Sequence, residues 1–320
     1  MAAENSMSEP KISIVTPSFN QGPFIERTIR SVLEQDWPNI EYIIIDAGST
    51  DETVSIIEKY SDRLAYWVSE PDRGQTDAIN KGLKRITGDI FAYINSDDFY
   101  YPGAFRAAAT ALPNGDAEGR SRKWAVGIGD HLDIHGTRVH LWKTLERWSD
   151  DRAFAVLAAP AVCQHATFWR TELLDQVGYF DESFHYGMDT EFMVRCLLEG
   201  NSPVLIDQII GAQLLHADCK TMTGREPFDR ERAELISKYR SRFSEKEWNR
   251  ALFIKDLRKL VISARERDLD VSIPLALRLA FTGPQSLAMN LLKRIRTGSW
   301  AFDTMICYDS KSPVPVEYQD

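Results

Sequence analysis

The sequence predicts an α/β fold, a mostly parallel sheet flanked by helices. Three observations carry that expectation. From residue 11 to about residue 110, short β-branched runs alternate with segments whose apolar residues recur at helical spacing. The runs are apolar at consecutive positions, as strands covered on both faces must be. Each run ends in a polar loop, and alternating elements of this kind imply parallel strands joined by right-handed helical crossovers.

The first strand is "ISIVT", residues 12–16. After "PSFNQGP" comes the helix "FIERTIRSVLEQ", with Phe24, Ile25, Ile29, Val32 and Leu33 at helical spacing. "YIIID", closing at Asp46, is the second strand. "STDETVSIIEKY" opens the next helix with cap candidates Ser49, Thr50 and Asp51 followed by Glu52. "LAYWVS", "QTDAINKGLKRI" and "DIFAYIN" supply a third strand, a third helix and a fourth strand. Past residue 120 the pattern is mixed: "WAVGIGDHLDIHGTRVHLWK" alternates around His135-Gly136 as a hairpin does. "QHATFWR" is a further strand, "MDTEFMVRCLLEG" a helix ended by Gly200, and "PVLID" with "IIGAQLLH" a pair of strands. These are expected to add antiparallel strands to the same sheet. From about Glu226 the chain reads as helices, "FDRERAELISKYRSRF" and "EKEWNRALFIKDLRKLVISARERD" being the clearest. The expected division is a disordered leader at 1–10, a first half at 11–110, a second half at 111–224 and a helical region at 225–320.

With 320 residues, 43% of them hydrophobic, the chain can bury a sizeable core. Its formal net charge of -9 argues against nucleic acid as a ligand, because such binders present a dominant basic face. An anionic ligand then needs a metal ion or local arginines. Cys163, Cys196, Cys219 and Cys307 lie far apart with no C-x-x-C pair, which signals neither a disulfide framework nor a structural zinc site, so a reducing, cytoplasmic setting is expected. The first ten residues are polar and acidic, unlike a secretory signal. No run approaches the roughly 20 apolar residues of a membrane span; even "SIPLALRLAF" is broken by Arg278. The longer segment at 272–300 carries Arg278, Lys293, Arg294 and Arg296 among apolar residues, which suits a helix lying on an anionic, inner membrane face. A helical cap on the catalytic half and a homo-oligomer interface are the alternatives.

In sheets of this kind the ligand lies outside the carboxyl ends of the strands, where connections diverge. That rule gathers the loops 16–21, 46–51, 69–75 and 95–98 into one crevice. Asp97 and Asp98 end the last of these loops, and two adjacent carboxylates repel unless a cation bridges them. A hard divalent ion held by one or two carboxylates and completed by phosphate oxygens and water resolves the repulsion, so the pair points to Mg²⁺ or Mn²⁺ against a diphosphate. An isolated Asp-Asp would equally cap the helix beginning near Pro102. The company of the other three loops favours the site.

The ordered set "ISIVTPSFNQGPFIERTIRSVLEQDWPNIEYIIIDAGSTDET", "EPDRGQTDAINKGL" and "NSDD" resembles the nucleotide-sugar-binding half of the family 2 inverting glycosyltransferases, which have the Rossmann-like GT-A fold. The resemblance spans roughly residues 11–220. It implies a nucleoside-diphosphate sugar donor and a glycan, lipid-linked or small-molecule acceptor. It also implies that Thr16, Pro17 and Phe19 line the nucleobase pocket and that Asp46 accepts a hydrogen bond from a uracil or thymine N–H. Arg73 and Asp77 resemble donor-contacting positions, with a surface ion pair as the alternative for Arg73. Asp98 resembles the direct metal ligand, and Asp97 a group reaching ribose or a metal-bound water. In "GYFDESFHYGMDTEF" the resemblance makes Asp189 the general base, which takes the acceptor hydroxyl's proton opposite the leaving diphosphate, with Glu191 in reserve. Relatives often show Glu-Asp where this chain has Met188-Asp189, and Asp189 at a helix start could serve only as a cap. In "LLHADCKTM", His216 resembles the family's late histidine, a further metal ligand that favours Mn²⁺. Lys220 and Thr221 would then touch the diphosphate.

His131, His135 and His140 with Asp130 and Asp133 invite a zinc reading, but strand alternation leaves His135 in the turn, so the ligands do not converge. Trp169 is a candidate to flank an acceptor sugar, with core packing the alternative. Two rival functions remain. A sugar nucleotidyltransferase usually places a Gly-rich, basic loop after the first strand, where this chain has "TPSFNQG". A non-catalytic nucleotide-sugar or glycan-binding module needs no base at residue 189.

Overall fold

The computed structural model describes residues 9–113, 122–142, 163–222 and 226–265, together with Ala153, Val156 and Pro274. The expected leader, Glu9 and Pro10 apart, and the segment at 272–300, Pro274 apart, lie outside the described residues.

Strands form where the sequence is apolar on both faces. β1 (Ile12–Ser18) is buried at every position and leads into α1 (Gly22–Leu33). β2 (Ile40–Asp46), α2 (Thr53–Lys59), β3 (Tyr66–Ser69), α3 (Gln75–Leu83) and β4 (Ile90–Tyr93) follow in strict alternation. β1 pairs in parallel with β2 on one side and β4 on the other, and β2 pairs in parallel with β3. The chain therefore steps outward from β1 to β3 and returns to lay β4 against β1's free edge. The point of reversal, between β1 and β4, is where a crevice opens at the carboxyl ends.

The second half extends the same sheet. Its elements are β5 (Phe99–Tyr100), α4 (Ala104–Ala111), β6 (Trp124–Asp133), β7 (Arg138–Trp142), β8 (Thr167–Arg170), α5 (Glu172–Val177), α6 (Met188–Leu198) and β9 (Val204–Leu215). The sheet order is β3-β2-β1-β4-β8-β6-β9-β5, with β7 paired to β6. β8, β7 and β5 add antiparallel pairings as expected, whereas β9 runs parallel to β6. The hairpin turn at His135-Gly136 is present, with Gly136 at φ +77°, a left-handed conformation that costs glycine little. α7 (Glu226–Arg240) and α8 (Glu245–Arg265) close the described chain.

Alternation along the strands divides the core in two. Val15, Ile43, Ile45, Tyr93 and Trp124 face the layer that holds α3, α6, α7 and α8. Ile12, Ile14, Tyr42, Ile44 and Phe168 face α1, α2 and α4. α3 packs so closely on β1 that a Cβ at Gly82 would lie 2.4 Å from Val15 Cγ1.

Three expectations need correction. "PVLID" and "IIGAQLLH" are one bent strand, β9: the exposed pair Asp207 and Gln208 that interrupts the apolar pattern is absorbed where the register against β6 shifts. β5 was not expected, because two residues carry no periodicity and their pairing with β9 is purely tertiary. Trp169 is fully buried, stacked on Phe91 at 5.4 Å and on Tyr93, so it belongs to the core and flanks no acceptor.

Candidate active site

At the carboxyl ends of the strands lies a cavity of about 980 Å³. The sheet order gives it two ends. Loops after β1, β2 and β3 bring Pro17, Phe19, Ala47, Pro71 and Asp72 to one end. β6, β7 and the turn before β8 bring His131, Trp142 and His165 to the other. Between them stand Asp97, from the loop after β4, and Asp189, from the first turn of α6.

The acidic pair divides its labour. Thr28 of α1 donates its hydroxyl to the Ser96 and Asp98 carbonyls and so fixes the loop from below. Asp98 is turned inward, only 2% exposed, and accepts from Asn95 Nδ2 at 3.0 Å and the Leu214 N–H at 3.3 Å. Burial, and then the neighbouring charge of Asp97, push its carboxyl well above the ordinary aspartate range. Asp97 faces the cavity, and its Oδ2 lies 3.0 Å from His216 Nε2. The His216 ring is held by stacking on Phe24, centroids 4.4 Å apart. The structure thus joins Asp97 with His216 and leaves Asp98, expected as the direct metal ligand, buried and off the cavity lining.

Those donors fit a hard divalent ion. The Asp97 carboxylate lines a cavity roomy enough for phosphates, with the buried His216 imidazole bonded to it, and such an ion completes its shell with substrate oxygens and water. Among the described residues no three His, Cys, Asp or Glu side chains converge as a closed metal cage.

Asp189 lies at the N-terminal turn of α6, where the helix dipole favours an ionised carboxylate. Its Oδ1 accepts the Thr190 N–H at 2.6 Å. Burial raises its carboxyl above the ordinary range, opposed by Thr190 and by the charge of Lys220. Tyr93 lines the cavity, and burial, then the charges of Asp189 and Asp98, push its hydroxyl well above the ordinary range. Lys220 closes over this region, donating to Gln75 Oε1 and to the His185 carbonyl, each at 2.7 Å; it and Thr221 both line the cavity.

Other expected residues stand elsewhere. Glu191 is fully buried away from the cavity and is bound by Arg195 at 2.9 Å, Lys238 at 2.6 Å and the Tyr239 hydroxyl at 2.6 Å, so it ties α6 to α7 and has no freedom to act as a reserve base. Thr16 is buried within the sheet, paired with the Tyr42 hydroxyl, while Pro17 and Phe19 do line the cavity. Asp46 is wholly buried, and its two oxygens accept from the Gly48 and Ser49 N–H groups and the Ser49 and Ser69 hydroxyls. Three of these donors fall on Oδ2 and one on Oδ1, so the carboxylate shapes the loop, and Asp46 does not line the cavity. Arg73 is largely exposed at the rim and pairs with Asp77 at 2.9 Å and Glu182 at 2.7 Å. Asp77 is buried there as the partner of Arg73, whose hydrogen bond lowers its carboxyl's pKa.

Sequence reasoning missed Asp72, Tyr93, Trp142 and His165. Asp72 stood in a quoted loop, but loop residues carry no period to say which side chain turns inward. His165 joins His131 and His140 in one cluster, with ring centroids 5.3 and 4.1 Å from His131. Burial lowers the His131 pKa to about 4 and lowers those of His140 and His165 as well.

The chain is similar to known proteins. A family model described as Glycosyl transferase family 2 matches residues 13–178. An uncharacterized glycosyltransferase of Mycobacterium tuberculosis is 32% identical over 194 residues, 60% of this chain and 70% of that protein. A PGL/p-HBAD biosynthesis glycosyltransferase of Mycobacterium bovis is 26% identical over 209 residues, 62% of this chain and 73% of its own. S. aureus TarS 1–349 in complex with UDP-GlcNAc has a TM-score of 0.53 at 17% identity, covering 91% of this chain and 93% of that one. The mannosyltransferase PcManGT from Pyrobaculum calidifontis, in complex with GDP-Man and Mn²⁺, has a TM-score of 0.51 at 17% identity, covering 92% and 82%. At such identities the likeness to the two solved structures is one of fold.

Proposed function

Because the chain belongs to glycosyl transferase family 2 and has a GT-A-like fold, we propose that it transfers a sugar from a UDP- or dTDP-linked donor to an acceptor hydroxyl, with inversion. The acceptor is a glycan, a lipid-linked sugar or a small molecule. The observation that carries this reading is that Asp97 and Asp189 both line one cavity of about 980 Å³. TarS and PcManGT, bound to UDP-GlcNAc and GDP-Man, support a nucleotide-sugar donor.

In this reading the donor half is 11–110 and the acceptor half 111–224. Asp189 takes the acceptor proton as the hydroxyl oxygen bonds to the anomeric carbon. The bond from that carbon to the diphosphate breaks, and its electron pair leaves with the diphosphate. Lys220 and Thr221 lie where they can meet the departing phosphates. Asp97 and His216 are the residues that would hold Mn²⁺ or Mg²⁺, which when bound neutralises the leaving group's charge. Buried, unbridged Cys163, Cys196 and Cys219 suit a reducing, cytoplasmic setting.

The test is a panel of UDP-, dTDP- and GDP-sugars with Mn²⁺, read by nucleotide release in the presence of candidate acceptors. Release from at least one donor, abolished by Asp189→Asn, is expected. Full-rate release by that variant would refute the assigned base, and a protein that binds no nucleotide would refute the donor reading itself.

A further inference from the structure

We infer that Gln75 is a positioning residue: its one amide ties Lys220 to the acidic loop 95–98, so that the ammonium and the Asp97–His216 pair are held in register for a single diphosphate. The inference rests on the nucleotide-sugar reading above and adds what keeps its central groups in place. Gln75 is the first residue of α3, Asn95 follows β4, and Lys220 opens a short 3₁₀ turn after β9, so three elements meet through one side chain. Gln75, Asn95 and Lys220 all line the cavity.

Lys220 Nζ donates to Gln75 Oε1 at 2.7 Å, Gln75 Nε2 donates to Asn95 Oδ1 at 2.6 Å, and Asn95 Nδ2 donates to Asp98 Oδ2 at 3.0 Å. The ammonium sets the direction of this chain. It can only donate, so the Gln75 oxygen must face it and the Gln75 amino group must donate onward. The same holds for Asn95, whose amino group then ends on Asp98. A second path closes the chain into a ring. Asp98 Oδ1 accepts the Leu214 N–H of β9 at 3.3 Å, and Gln213, one residue earlier, donates Nε2 to Thr221 Oγ1 at 3.1 Å, beside Lys220. Segment 213–221 is thus tied to the acidic loop near both its ends, with His216 on Asp97 between them.

Lysine is among the side chains richest in rotamers, and Lys220 is exposed, so without anchors its ammonium would spend little time at any one point. Gln75 and the His185 carbonyl, each at 2.7 Å, hold it before a ligand arrives, and transfer gains from groups already in place. Of these two anchors, Gln75 is the one that leads on to the acidic loop.

Calorimetric titration of the full chain at saturating Mn²⁺ tests this. The probes are the tightest binder among UDP, dTDP and GDP and its monophosphate, titrated into wild type, Gln75→Leu, Lys220→Met and the double variant. Thermal unfolding will verify that each folds, and Gln75→Met, which keeps the side chain's length, replaces Gln75→Leu if that variant does not. Gln75→Leu is expected to weaken diphosphate binding about 5- to 30-fold, the range of one lost hydrogen bond, while changing monophosphate binding less than about 3-fold. In the Lys220→Met background the same change is expected to cost less than about 3-fold, because the group it positions is gone. Lys220→Met and Asn95→Ala are expected to couple in the same sense and to become additive in the Gln75→Leu background. Equal losses of diphosphate and monophosphate, or a Gln75→Leu loss undiminished without Lys220, would overturn the positioning role although the donor reading stands. If no nucleotide binds wild type, the donor reading itself fails and the inference falls with it.

Discussion

At the residue scale the chemistry rests on a few carboxylates whose surroundings differ. Asp189→Asn is expected to lower kcat by roughly 10²- to 10⁴-fold, the usual worth of a general base, while leaving nucleotide diphosphate affinity unchanged. Steady-state kinetics beside calorimetry will show both. Burial raises the Asp189 carboxyl, and a base acts deprotonated. Hence kcat/KM should rise with pH through a limb displaced above the ordinary value of about 3.9. A limb at or below that value would contradict the burial seen here. For stability the sign is opposite: the folded state holds this proton more tightly than the unfolded chain. Its contribution is full below about pH 3.9 and is lost as pH rises through the raised folded value. Asp97 and Asp98 separate by a different measurement. Because Asp97 faces the cavity beside His216 while Asp98 faces the Leu214 N–H, Asp97→Ala should weaken Mn²⁺-supported nucleotide binding at least about 10-fold more than Asp98→Asn does. Equal losses would restore Asp98 as a direct ligand.

At the element scale, α6 carries Asp189 and α7 holds α6 in place. Glu231 of α7 accepts the N–H groups of His185, Tyr186 and Gly187 at 2.9, 2.8 and 2.7 Å, in the turn immediately before α6. A carboxylate can satisfy all three donors. Glutamine would keep one accepting oxygen and set an amino group against the others. Glu231→Gln should therefore lower stability by about 1–3 kcal/mol and reduce kcat more than the donor KM, since the turn it frees is the one that aims Asp189. Thermal unfolding and initial-rate kinetics will show whether both effects appear; an unchanged kcat would confine Glu231 to a structural role. A second element contact is tighter still. A Cβ on Gly211 of β9 would lie 2.0 Å from the His165 carbonyl oxygen, with backbone on both sides. Gly211→Ala should cost at least about 1–3 kcal/mol, read as a lower Tm, because neither partner can swing aside.

At the scale of the whole molecule, α7 and α8 share a core with the sheet that carries the cavity. Leu235, Tyr239, Trp248 and Ala251 join the same core cluster as Val15, Tyr93 and Phe192. Lys238 and Tyr239 complete the shell of buried Glu191. A chain ended after residue 222 would leave Glu191 with Arg195 alone, and breaking a buried ion network costs about 3–5 kcal/mol. Such a chain is expected to be insoluble or to lack cooperative unfolding; a soluble, cooperatively unfolding product would show that the helices are dispensable. The sequence by itself determined the alternation of strands and helices from β1 to β4, their parallel pairing and the four loops that meet at one crevice. Each of those follows from local periodicity and from the rule that connections diverge at the carboxyl ends. Tertiary structure alone decided which side chains in those loops turn inward. Asp97 rather than Asp98 faces the cavity, Asp72 rather than Asp46 lines it, and Glu191 is consumed by Lys238. The reason is physical: a loop has no repeat to orient its side chains, and whether a carboxylate is free depends on donors brought to it from distant parts of the chain.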